Sequence, residues 1–206
     1  MSIRRSFPKF ILVLAVIGVT ASISGCVTTS PRADSQNASV SVDKGLVFVR
    51  VSIEGLKYAD GLTVLARPTG GGDTTKFRGW SVSSDGYWST YYDEAEKGEL
   101  VAMPLPPGEY EFFSIAASAG GMGGVRVFNS TKDFSYRFRV QAGEYVYLGN
   151  LLTRVKADSG VTPSAGSKTV VGIEHITRDT RARDLKEIEK RFPGVAPDKI
   201  LVRLLK

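Results

Sequence analysis

Residues 134–152 read FSYRFRVQAGEYVYLGNLL. From Phe134 to Val140 large apolar side chains alternate with polar ones. Phe134, Tyr136, Phe138 and Val140 fall on one side, and Ser135, Arg137 and Arg139 on the other. Successive side chains of a strand point to opposite faces, so this period of two predicts a strand with its aromatic face inward and its Ser/Arg face in water. Gln141-Ala142-Gly143-Glu144 carries turn chemistry, and Tyr145–Leu152 reads as a second, apolar strand.

The same pattern extends in both directions. Leu46–Ile53 is β-branched and aromatic, with Val49, Val51 and Ile53 on one face and Arg50 and Ser52 on the other. Leu62–Arg67 is a further strand, stopped by Pro68 and Gly70-Gly71-Gly72. Phe77–Val82 and Tyr87–Tyr92 predict a hairpin around Ser84-Asp85-Gly86. Leu100–Leu105 leads into Pro106-Pro107-Gly108, where Pro presets φ and Gly is expected to supply a positive φ in a type II turn before Glu109–Ala116. Gly120–Gly124 breaks the chain after that strand, and Lys168–Ile176 is expected to pair with Tyr145–Leu152 across a polar loop at 157–167. One helix is predicted over about 180–192: Asp179 or Thr180 can cap it, Leu185, Ile188 and Phe192 recur at helical spacing, and Pro193-Gly194 ends it. Ile200–Leu205 is too apolar for a free tail and should dock on the body. Short strands separated by Gly/Pro turns predict a mainly β fold: an antiparallel β-sandwich, Ig-like or transthyretin-like, with one C-terminal helix. An irregular barrel is the alternative.

The N-terminus has a different grammar. Arg4, Arg5 and Lys9 precede an apolar run from Phe10 that thins into Thr20, Ser22 and Ser24, and no acidic residue occurs before Asp34. This is the layout of a secretory signal. Phe10–Gly25 is shorter than the roughly 20 residues that span a bilayer core. Ile23-Ser24-Gly25-Cys26 resembles the bacterial lipobox, an aliphatic and two small residues before the cysteine that is lipidated. A permanent N-terminal anchor, or an ordinary signal with a coincidental cysteine, would show a similar run. The expected organisation is a signal over 1–25, a lipidated Cys26 with a Ser/Thr/Asn/Asp-rich linker to 43, and a domain over 44–206. Val27 stands where an inner-membrane retention aspartate would, so the expected location is the outer membrane, on its periplasmic or surface face, in a host with that sorting rule.

Composition narrows the classes. The chain carries a formal charge of +6, half of it from the three basic residues of the signal. The remaining excess is too small and dispersed for a counterion-releasing basic face, so nucleic acid is not an expected partner. Cys26 is the single cysteine, so no intrachain disulfide can form.

Candidate chemistry is sparse. His175 is the one histidine, so any Ser-His-Asp relay or histidine metal site would need it; among apolar strand neighbours it reads as structural. A zinc site lacks ligands, and no metal or cofactor is expected. Gly160–Thr169 departs from phosphate-loop spacing, and Gly120–Gly124 lacks the strand–helix context of a dinucleotide fingerprint. Asp93, Glu94, Glu96 and Glu99 lack regular calcium-loop spacing and read as a solvated loop. Arg178, Arg181, Arg183, Lys186, Lys190 and Arg191 give the helix a basic outer side, with Asp184, Glu187 and Glu189 interleaved for i,i+4 pairing. Trp80, Trp88, Tyr91 and Tyr92, with Tyr87, form the densest aromatic stretch. Their outward members are candidates for glycan or protein recognition.

Leu105–Ile115, LPPGEYEFFSI, resembles the turn-and-strand phrase of transthyretin-like, carboxypeptidase-regulatory-like sandwiches. With Phe138–Leu151 and the helix ending in Phe-Pro, the chain is similar to small bacterial envelope lipoproteins of uncharacterised function. The resemblance implies a fold and a compartment and carries over no catalytic residue. The expected function is therefore that of a non-enzymatic, outer-membrane lipoprotein, a structural or protein-interaction module. It would be held to the membrane by its N-terminal lipid and would have an envelope protein as partner. The alternative is a glycan-, peptidoglycan- or small-ligand-binding module using the aromatic hairpin at 80–92.

Overall fold

The computed structural model describes residues 42–55, 59–81, 91–92, 96–119, 126–129, 134–158 and 169–206. The expected signal, Cys26 and nearly all of the expected linker lie outside them. Two sheets pack face to face, as the mainly β reading requires. The first contains β1 (Gly45–Glu54), β4 (Tyr91–Tyr92), β5 (Glu96–Leu105), β9 (Tyr145–Asp158), β10 (Thr169–Arg178) and β11 (Ile200–Val202), in the order β10-β9-β1-β5-β4 with β11 also on β9. The second contains β2 (Ala59–Pro68), β3 (Thr75–Ser81), β6 (Gly108–Ala119), β7 (Arg126–Asn129) and β8 (Tyr136–Val140), in the order β3-β2-β6-β7 with β8 also on β6.

Each sheet's alternation supplies one side of the sandwich core. Val49, Val51 and Ile53 of β1 meet Val64 of β2, Phe112 and Ile115 of β6 and Phe138 of β8, all buried. The aromatic face expected of residues 134–140 is there: Phe138 stacks on Tyr110 at 5.6 Å and lies 4.8 Å from Phe112, while Arg137 and Arg139 stay exposed. The turn at 141–144 also forms, with Gly143 at φ +76 and its N–H donating to the Lys44 carbonyl at 2.9 Å.

Three expectations are corrected. The sandwich is not wholly antiparallel, because β1 and β11 both run parallel to β9. The ends of the expected 77–92 hairpin belong to different sheets: β3 pairs with β2, and Tyr91–Tyr92 pair with Gly98 and Lys97 of β5. The turn after Leu105 does not use Gly108, which already pairs with Val140 in the ladder and has no positive φ. The Tyr110 ring lies over Gly108, and its hydroxyl donates to the Pro106 carbonyl at 2.8 Å, bracing the turn.

Part of the first sheet is buried on both sides, which alternation in the second half of β1 did not suggest. Its outer face is covered by α1 (Arg181–Arg191) and the chain after it. Leu46, Phe48, Leu100, Ala102 and Tyr147 of the sheet pack against Ile188, Phe192, Val195 and Ile200. Phe192, expected on the docking face, caps the helix and meets Phe48 edge-to-face at 5.3 Å. The ladder between β1 and β9 shifts between Phe48 and Arg50, and Gly149 sits there at φ +92. This extra residue resets the alternation of β9. Tyr147 and Asn150, three apart, both join the outer layer, while Leu148 and Leu151 fill the sandwich core.

Candidate functional site

A cluster of buried polar groups lies where α1 crosses the outer face of β1. Arg50 shares a parity with Leu46 and Phe48, so the alternation that sends Val49 and Val51 inward sends its guanidinium under the helix. Asp184 and Glu187, one turn apart on α1, meet it there. Arg50 and Asp184 are both fully buried, with Nε donating to Oδ1 at 2.7 Å, and Nη2 bonds the Glu187 carboxylate. Asp184 also accepts from the Tyr147 and Thr180 hydroxyls, each at 2.6 Å, and from Arg183 Nε at 3.1 Å. Arg191 bonds Glu187 and the Leu100 carbonyl, both at 2.8 Å.

Burial works to raise the Asp184 pKa, but the Arg50 charge and the bonds from Thr180, Tyr147 and Arg50 outweigh it and hold the carboxyl below its ordinary value. Burial, followed by the bond to Asp184, pushes Tyr147 well above the ordinary tyrosine range. The carboxylate therefore stays ionised and the phenol neutral at pH 7.

A second polar chain continues along the same face. Ser52 donates to Asn150 Oδ1 at 2.7 Å, and Asn150 Nδ2 to Glu96 at 3.0 Å. Arg178 bridges Glu96 and Glu54 at 3.3 and 3.5 Å. Arg154 joins Glu54 at 3.3 Å and Glu174 at 3.8 Å, and Lys156 approaches Glu174 at 3.7 Å. Positive and negative groups alternate across the strands, so this is a cross-strand ladder and not a field of one sign. Both clusters spend their charged groups on one another. The first is a clasp that fixes α1 over one stretch of the sheet, and the second ties β1, β5, β9 and β10 to one another.

The sequence-predicted residues lie elsewhere. Cys26 and Trp88 are outside the described residues. Trp80 pairs with Leu62, a core residue of β2, while Tyr91 and Tyr92 belong to the other sheet, and the side chains of all three lie outside the described part. His175 is half-buried, its Nδ1 3.4 Å from the Thr153 hydroxyl and its ring 4.5 Å from Phe134; burial lowers its pKa. Glu96 and Glu99 do not belong to a solvated loop: both are in β5, and Glu99 is buried on the side that pairs with Val51. The basic outer side of the helix is also narrower than expected, because Arg183 and Arg191 turn to Asp184 and Glu187. Of the two possible caps, Asp179 Oδ1 accepts from the Arg181 N–H at 3.1 Å, whereas the Thr180 hydroxyl goes to Asp184.

Sequence reasoning missed Arg50, Tyr147 and Asp184. One signal was present: Leu46 and Phe48 precede Arg50 on its own face, and an apolar start to a strand face implies a cover. Among the described residues no group of three or more His, Cys, Asp or Glu is placed to hold a metal ion, and no helix is long and apolar enough to cross a membrane. No protein-family model matches the chain, and no curated protein matches it in sequence.

Proposed function

We propose that the protein is a lipid-anchored envelope protein, tethered through Cys26 to the outer membrane, whose sandwich is a non-catalytic structural or protein-interaction module. The observation that carries this reading is the order of the first 45 residues: basic n-region, apolar Phe10–Gly25, Ile-Ser-Gly-Cys, a polar stretch, and then the first strand at Gly45. Two or more acyl chains anchor firmly, since each buried methylene contributes about 0.8 kcal/mol. The clasp supports the module reading, because its charged groups are engaged in positioning α1 on the sheet.

Expression of the full chain with labelled palmitate tests the anchor. Wild type should carry label and sediment with outer membranes, and Cys26→Ser should lose both label and processing. A mature, unmodified Cys26 found by mass spectrometry would refute the proposal.

A further inference from the structure

We infer that residues 179–206 form a strap that opens and re-docks as one unit, hinged at Arg178–Thr180 with the Arg50–Asp184 pair as its catch. The inference does not depend on the lipid anchor.

Topology allows it. β10 ends at Arg178 beside Asn150; the chain then crosses the outer face as α1, turns through Pro197–Lys199, and re-enters the same edge of β9 as β11 beside Tyr145–Tyr147. Among the described residues the segment's one strand pairing is β11 on β9, so lifting it breaks no other strand pairing. β10 and β11 share one edge of β9, and Arg178 and Leu204 meet at Gly149, where a Cβ would stand 2.9 Å from the Arg178 carbonyl and 3.2 Å from Leu204.

The attachment is also different in kind from the sandwich core. An eleven-residue helix is too short to hold its shape alone, so α1 depends on docking. β11 supplies three residues, two of them, Leu201 and Val202, exposed. Part of the docking surface is a buried ion pair, whose desolvation offsets much of its attraction. Arg203 adds a half-buried pair with Glu144 and a bond to the Arg139 carbonyl, each at 2.9 Å, and apolar contacts come from Ile188, Phe192, Val195 and Ile200. Between the sheets, by contrast, a continuous apolar cluster runs through β1, β2, β5, β6, β8 and β9, and Leu205 alone joins it from the strap. A layer held by fewer and partly polar contacts opens before the core does.

Native-state hydrogen exchange on the full-length protein in detergent, across low denaturant concentrations, tests this. Amides of 184–192 and 203–205 should exchange as one group, at least tenfold faster than those of β1 and β6. Asp184→Asn should speed the strap group a further tenfold or more and leave β6 and β8 unchanged. If that variant fails to fold, Phe192→Leu serves, with the same selective acceleration expected. Strap amides exchanging at the core rate in wild type, or equal acceleration of strap and core in the folded variant, would overturn the proposal.

Discussion

Replacing Arg50 and Asp184 singly and together measures what the buried catch contributes. Both side chains are fully buried, and their sequence positions lie 134 residues apart, so the pair is purely tertiary. Removing one partner of a buried pair leaves the other's charge uncompensated, which costs about 3–5 kcal/mol. Arg50→Met should sit near about 3 kcal/mol of that range, because Asp184 keeps Arg183, Tyr147 and Thr180, and Glu187 keeps Arg191. Asp184→Leu should lie near about 5 kcal/mol, since Arg50 then retains only Glu187 and two hydroxyls lose their acceptor. In Arg50→Met/Asp184→Leu the charges are gone together, Tyr147 and Thr180 still reach each other at 3.1 Å, and an apolar pair of similar volume fills the space. The double variant should therefore recover at least about 3 kcal/mol relative to the sum of the singles. For a domain of this size about 2–4 °C of melting temperature corresponds to each kcal/mol, so calorimetry or urea titration resolves the cycle. Additive losses, or singles within about 1 kcal/mol as for an exposed pair, would refute the reasoning.

Two further outcomes rest on the same geometry. Phe192 is buried against Phe48, so Phe192→Ala should cost about 3–5 kcal/mol whereas exposed Lys190→Ala should stay within about 0.5, compared by denaturant midpoint; equal effects would contradict the packing. Burial holds the His175 pKa below its ordinary 6.5, so the fold favours the neutral ring; its stability is fully present above about pH 6.5 and declines as pH falls toward the depressed value. Because His175 is the single histidine, His175→Gln should flatten the fall in melting temperature between about pH 7 and 5, and an unchanged slope would show that burial does not bias its protonation.

Local chemistry made much of the fold legible. Alternation at 134–140 reports which side chains enter the core, because the pleat enforces a period of two whatever the strand pairs with. Gly143 reports its turn, and Leu185, Ile188 and Phe192 report the docking stripe of α1, through equally short-range constraints. Strand partners were less legible. Ser84-Asp85-Gly86 has hairpin chemistry, yet the strands around it serve different sheets, because pairing depends on which edge is free in the assembled fold. The parallel register of β1 on β9 likewise joins residues about a hundred positions apart, such as Ser52 and Asn150.

The clasp shows the division most sharply. The sequence by itself determined that Arg50 and Ser52 share a face of β1 and that Asp184 and Glu187 lie one helical turn apart. Those are consequences of period two and period 3.6, set within a few residues. Only the tertiary structure decided that the two faces meet. A strand's polar face is ordinarily left to water, and it becomes a buried ion-pair site here because Leu46, Phe48, Leu100 and Ala102 on the same layer draw Ile188 and Phe192 over it. Apolar burial brings the helix down, and the charges beneath it must then find one another, since an unpaired charge at that depth would cost more than the contact returns.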